Sequence, residues 1–236
     1  MNVVCGLAYK APLYGRRTAQ IKLLPFDFGE TCRYLSNMSG EDKALMYGVV
    51  GGTPQYLRQI SDKFSVEDNI KNTYLNPTSF LFEEPMNLLK QEVREPGIYT
   101  AIITAIATGS SRMSEISRKS IYSIADNMFR FWYRFVLGNN SVIIRGATDL
   151  VYKKIQPNFT DYMGKVFEDI CMQYLWKLLL SGQSPVEFSA LGRWWGNDPL
   201  TRSQIEIDIM GEQDLFISKG AALSFLQIGI YQAAAL

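Results

Sequence analysis

The chain has 236 residues, with 24 Lys+Arg against 23 Asp+Glu and a formal net charge of +1. That balance gives no global electrostatic case for nucleic acid or an anionic membrane, although a local basic patch remains compatible with it. A hydrophobic fraction of 47% and a charged fraction of 20% are those of a folded domain and exclude a disordered one. There is no histidine. A Ser-His-Asp triad, a Cys-His dyad, a histidine-bearing zinc site and a histidine pH switch are therefore excluded. Three widely separated cysteines, Cys5, Cys32 and Cys171, support neither a disulfide framework nor a zinc knuckle and favour a reduced, cytoplasmic setting. Met1 to Lys10 reads as a poor signal peptide, and the apolar runs are too short to span a bilayer, so no membrane partner is expected.

The first 24 residues read as strand ends: Val3-Val4-Cys5, a turn at Tyr14-Gly15-Arg16-Arg17, and an edge strand from Ala19 to Leu24. Helical periodicity begins at Pro25. Asp27 caps a first helix running to Leu35. Glu41-Asp42 open a second, which Gly51-Gly52 stop. Thr53-Pro54 then pair an N-cap with a proline at the first helical position. A longer helix is expected from Ser79 to Glu95, with a break near Pro85.

Pro96 to Ser120 has the opening of a helix-turn-helix. Ile98, Ile102, Ile103 and Ile106 share a face, Gly109 ends the helix, and a second begins at Met113 and turns basic at Arg118 and Lys119. The recognition helix that should follow is replaced by Ile121-Tyr122-Ser123-Ile124, which alternates like a strand. Asp126 to Leu137 predicts an aromatic amphipathic helix. Its rings serve either core packing or base stacking. The longest helix is expected over Asn158 to Leu180, its Tyr174–Leu180 end buried. Strands are expected at Val186–Phe188, Arg193–Gly196, Ser203–Met210 and Leu215–Ser218. Residues 221–236 are apolar and receive no role.

No Gly-x-x-x-x-Gly-Lys-[Ser/Thr] loop occurs, so no phosphate cradle of that kind is encoded. The sharper chemistry lies in Ile205-Glu206-Ile207-Asp208-Ile209. Strict alternation puts Glu206 and Asp208 on one strand face. With Glu168 from the preceding helix they are oxygen ligands able to hold Mg²⁺ and activate water. The alternative is a solvated acidic strand face without metal.

Several stretches, in this order, resemble the archaeal-type AAA+ ATPases. Tyr9 to Thr18, with Leu23-Leu24-Pro25-Phe26, looks like the end of their nucleotide-binding core. Gly51-Gly52-Thr53-Pro54-Gln55-Tyr56-Leu57 is similar to the Gly-Gly-x-Pro-x-Tyr-Leu signature of their helical lid. Arg94-Glu95-Pro96 and Ser114-Glu115-Ile116 resemble the opening of their winged helix. Asp126-x-x-Phe129-x-Phe131-Trp132-Tyr133 and Gly164-x-x-Phe167-Glu168 resemble their C-terminal domain of unknown function, thought to share the restriction-endonuclease-like fold.

The resemblance implies an α+β chain. Residues 1–24 would be a remnant of the nucleotide-binding core and 25–95 the helical lid. Residues 96–120 would be a truncated winged helix and 121–236 a restriction-endonuclease-like domain. It implies ATP and Mg²⁺ as cofactors, with the phosphate loop lying before Met1, and DNA, a second copy or an intact family member as partner. Arg16 and Arg17 would be nucleotide-associated; Arg112, Arg118 and Lys119 would touch DNA. Glu168 and Asp208 match the helix and strand acids of a nuclease centre and its metal ligands, and Lys219 its lysine. Phe216-Ile217-Ser218-Lys219 departs from the expected Glu-x-Lys, since its glutamate is missing. Three roles follow: an AAA+ ATPase part that is catalytically incomplete as this chain, a Mg²⁺-dependent nuclease, or a non-catalytic DNA- or protein-binding module.

Overall fold

A computed structural model describes residues 21–109, 122–197, 204–212 and 225–227. Its helices come first in the chain and its strands last, an α+β arrangement. Helix α1 (Phe28–Tyr34) starts on a capping box: the Asp27 carboxylate accepts from Glu30 N, and Glu30 accepts in return from Asp27 N. Helix α2 (Gly40–Val50) is capped by Ser39, two residues ahead of the acidic pair that announces it. Helix α3 (Pro54–Leu57) carries its proline at the first position, and Ser65 caps α4 (Val66–Thr73). Helix α5 (Phe80–Glu92) runs unbroken through Pro85, contrary to the expected break. Leu81, Phe82, Pro85 and Leu89 are all buried there, and this packing outweighs the proline's cost of about 3 kcal/mol. Helix α6 (Pro96–Ala107) ends at Gly109, whose φ is 107°.

The described part of the expected strand at 121–124 is not a strand: residues 122–126 have no regular structure. Period-two alternation cannot make a strand without a neighbour to pair with. The same correction applies to the described part of the expected edge strand: 21–24 is irregular, with Ile21, Leu23 and Leu24 exposed. Val186–Phe188 is likewise outside any strand.

The aromatic segment begins as α7 (Asn127–Phe131), becomes a π-helical turn over Trp132–Val136 and a 3₁₀ turn over Leu137–Asn139, and runs into α8 (Asn140–Ile144). Trp132 and Tyr133 are each 1% exposed, which settles the choice for these two rings: they pack the core. Trp132 Nε1 donates to Phe82 O at 2.8 Å. Helix α9 spans Thr148–Leu180, beginning ten residues before the expected Asn158. Pro157 sits inside it at an exposed position, and Lys153, whose carbonyl loses its donor, is exposed as well. Water can satisfy that carbonyl. The C-terminal end of α9 is only partly covered, with Tyr174 and Leu180 exposed.

Three strands follow: β1 (Ala190–Asn197), β2 (Gln204–Glu212) and β3 (Phe225–Gln227), an antiparallel sheet in the order β1-β2-β3. β3 gives part of the otherwise unassigned tail a place beside Met210–Glu212. The β1–β2 register shifts between Gly192, opposite Met210, and Trp194, opposite Ile207. Arg193 thus faces two residues, Asp208 and Ile209, at a β-bulge. The expected strand at 215–218 lies outside the described residues.

One hydrophobic core takes in Met46, Val49 and Val50 of α2, Leu57, Ile70 and Leu81, and also Met128, Phe131, Trp132, Val151, Tyr162 and Val166. Residues on both sides of the expected boundary at 120/121 share it. Its hub is the C-terminal end of α2, where Tyr47 O accepts from the C-cap Gly51 N at 2.9 Å and the carbonyls after it have no donor from within the helix. Tyr162 Oη donates to Gly48 O at 2.5 Å, Tyr74 Oη to Val49 O at 2.9 Å, and Asn127 Nδ2 to Tyr47 O at 3.1 Å. Beyond them Gly51 turns the chain at φ 68°, ψ −160°, a region open to glycine alone. A Cβ on Gly52 would lie 1.8 Å from Phe26 O, and Phe26 N donates to Gly52 O at 2.8 Å. The Gly-Gly-x-Pro motif is therefore the seam where the segment after Pro25 lies against the end of α2.

Candidate functional site

A cleft of about 530 Å³ opens where the end of α6, residues 122–124, the aromatic segment, α9 and β1 meet. Helix α9 presents Asp161, Lys165 and Glu168 to it, at i, i+4 and i+7 on one helix face. Gly164 lies between them, and a Cβ there would meet nothing within 4 Å. Ile106, Tyr122 and Ile124 supply an apolar wall.

The cations arrive from the aromatic segment, α9 and β1. Arg130, on α7, is 7% exposed. Its Nε and Nη2 donate to Ile124 O at 3.0 and 2.6 Å, and Nη2 also reaches Asp169 Oδ2 at 3.0 Å. Its Nη1 is buried and has no hydrogen-bond partner among the described residues. Arg134, one turn on, pairs with Asp161 at 2.6 Å and lies over the rings of Phe135 and Tyr162, 5.3 and 5.8 Å from their centroids. Arg193 reaches from the β-bulge to an ion pair with Glu168. Lys165 forms no ion pair among the described residues.

Of the candidate site residues singled out from the sequence, the structure describes Glu168, Glu206 and Asp208. Glu206 lies on β2 opposite Trp195. Glu168 faces the cleft and is matched by Arg193. Asp208 is exposed on β2, next to the buried Ile209 and across the ladder from Arg193. Arg16, Arg17, Arg112, Arg118, Lys119 and Lys219 lie outside the described residues. Sequence reasoning passed over Arg130, Lys165 and Arg193. A signal existed for Arg130 and Arg134, the two charged residues of the otherwise apolar and aromatic run Met128 to Val136.

The cofactors implied by the resemblance can be tested against these residues. Mg²⁺ takes several oxygen ligands. No three Asp, Glu, Cys or His side chains converge among the described residues, and Glu168 already has a guanidinium as its counter-charge. The described residues do not fit a resident Mg²⁺ centre. Nor does the sequence hold a glycine-rich loop with a lysine to cradle the phosphates of ATP. The cleft is suited instead to holding an anion.

Residues 132–216 match the family DUF234, described as archaeal and bacterial proteins of unknown function. The matched stretch contains Arg134, Lys165, Glu168, Arg193 and Asp208. The chain is also similar to a protein of Methanocaldococcus jannaschii, "Uncharacterized protein MJECL04", with 29% identity over 224 residues. That similarity covers 80% of this chain and 50% of the relative, so the chain spans about half the relative's length. No solved structure matches. No helix among the described residues is long and apolar enough to cross a membrane.

Proposed function

We propose that this chain is the lid and C-terminal part of an archaeal-type AAA+ ATPase, acting as a non-catalytic, DNA-associated module. The observation that carries the reading is the seam at Gly51-Gly52. Each residue of the lid-like signature answers a backbone or packing demand: Gly51 the positive φ, Gly52 the contact with Phe26, Pro54 the helix start, and Tyr56 and Leu57 burial in the core. The nuclease alternative is weaker, because Arg193 stands where a metal would have to meet Glu168.

Two measurements test the reading. The purified chain should hydrolyse no ATP above a buffer blank, yet retard duplex DNA in a mobility-shift assay with an affinity that falls steeply with salt. In the longer Methanocaldococcus jannaschii relative, the half that this chain does not span should bind ATP. A relative that binds no ATP would remove the AAA+ assignment, and a chain that retards no DNA at low salt would remove the DNA-associated role.

A further inference from the structure

We infer that the cleft between α7, α9 and β1 binds a nucleoside monophosphate group, with Arg130, Arg134 and Lys165 on the phosphate and Ile106, Tyr122 and Ile124 beside the base. The inference does not rest on the AAA+ reading. It rests on three features of the cleft.

The first is a buried cation. Arg130 is more than nine-tenths buried, its side chain lines the cleft, and its Nη1 has no hydrogen-bond partner among the described residues. A buried N–H of a cation left unpaired is costly, and an anionic oxygen is its natural complement. The second is charge. Four cationic side chains and two carboxylates line the cleft, which therefore stays net positive even when Asp169, holding Arg130 from behind, is counted. Lys165 has no ion pair among the described residues, leaving its ammonium available to a ligand. A phosphate monoester carries a charge of about −1.5 to −2 with three acceptor oxygens, and so answers several separate donors at once, which a single carboxylate does less well. The third is shape. The cations come from α7, the turn after it, α9 and β1, while Ile106, Tyr122 and Ile124 form a different, apolar wall. A volume of about 530 Å³ falls within the range of about 300–1,000 Å³ usual for small-ligand sites. The open space above Gly164 forms the floor. A free nucleotide and the phosphorylated 5′ end of a nucleic-acid strand share this chemistry.

The experiment is calorimetric titration of the full chain with deoxyadenosine monophosphate, with deoxyadenosine, and with oligothymidylate carrying either a 5′-phosphate or a 5′-hydroxyl. Deoxyadenosine monophosphate should bind, and deoxyadenosine should bind at least about tenfold more weakly, the loss expected when charge-assisted contacts are removed. Lys165→Glu should weaken binding by about tenfold or more. Gly164→Phe, which fills the floor without changing charge, should abolish it. Thermal melts should show both variants folded. If the 5′-phosphorylated strand binds more tightly than the mononucleotide and the 5′-hydroxyl strand does not, the ligand is a strand end. If the mononucleotide binds and both strands fail, it is a free nucleotide. Equal binding of deoxyadenosine and its monophosphate would overturn the inference. So would the absence of binding by every probe at millimolar concentration, or folded variants that bind as the parent does.

Discussion

Replacing Tyr162 with phenylalanine removes one oxygen from the centre of the core and leaves the ring in place. The hydroxyl donates to Gly48 O at 2.5 Å and lies 3.2 Å from Asn127 O. Gly48 is in the last turn of α2, so its carbonyl has no donor from within the helix. Water has little room to replace the hydroxyl: a Cβ on Gly48 would already stand 2.6 Å from Met163 Sδ. Burial raises the Tyr162 pKa above that of a free phenol, so the group is a neutral donor at every physiological pH. Stranding a buried acceptor costs about 1–3 kcal/mol, and the close packing argues for about 2. The ring contacts with Phe131, Phe135 and Phe159, at centroid distances of 5.8, 5.5 and 6.1 Å, survive the change. For a chain of this size about 2 kcal/mol corresponds to a melting shift of about 4–8 °C. Urea titration should show a lower midpoint with an unchanged slope. Tyr74→Phe, which strands Val49 O, should cost a similar amount. Because both hydroxyls hold one helix end, the double variant should depart from additivity. A loss below about 0.5 kcal/mol for Tyr162→Phe would refute the view that side chains from afar complete α2.

Gly52→Ala should destabilise by about 3 kcal/mol or more, or prevent folding, since its methyl would sit 1.8 Å from a backbone oxygen; a circular-dichroism melt decides. Gly164→Ala should do the reverse and gain about 0.5–1 kcal/mol, because it is a mid-helix glycine with open space at its Cβ; the same melt would expose an error of sign. Burial raises the Asp126 pKa above its ordinary value, outweighing the hydrogen bonds from Phe129 N and Met128 N and the attraction of Arg130. A raised carboxylate pKa means stability present at low pH and lost as pH climbs from the unfolded value through the folded one. Asp126→Asn keeps an acceptor for Phe129 N, so urea midpoints should show it more stable than the parent at pH 7 and no more stable below about pH 4.

What could be read from the chain and what could not divide along physical lines. The cap at Asp27, the Gly51-Gly52 stop and the Thr53-Pro54 start were legible because a few adjacent residues fix each of them. The strand at 204–212 was legible because its alternation coincides with a real partner, β1. Equally good alternation misled at 122–124, the described part of the expected 121–124 strand, since the rule describes a surface to be paired and is silent on whether a partner exists. The first ten residues of α9 were not legible, because a proline within a helix is tolerated where the carbonyl it frees is exposed to solvent, as at Lys153. The cleft was the least legible feature. Glu168 was visible as an acid on a helix, but its meaning changes with its neighbour: beside a second carboxylate it would demand a metal, and beside Arg193 it demands none. That neighbour comes from a strand 25 residues away in sequence, at a bulge that sets it against Asp208 and Ile209 together. Arg130 and Arg134 reach the same cleft from a helix whose other side chains fill the core. No local pattern encodes a charge cluster assembled from three elements. It exists because α9 is long enough to carry Asp161, Lys165 and Glu168 past both the aromatic segment and the sheet, so the length of one helix decides which charges meet.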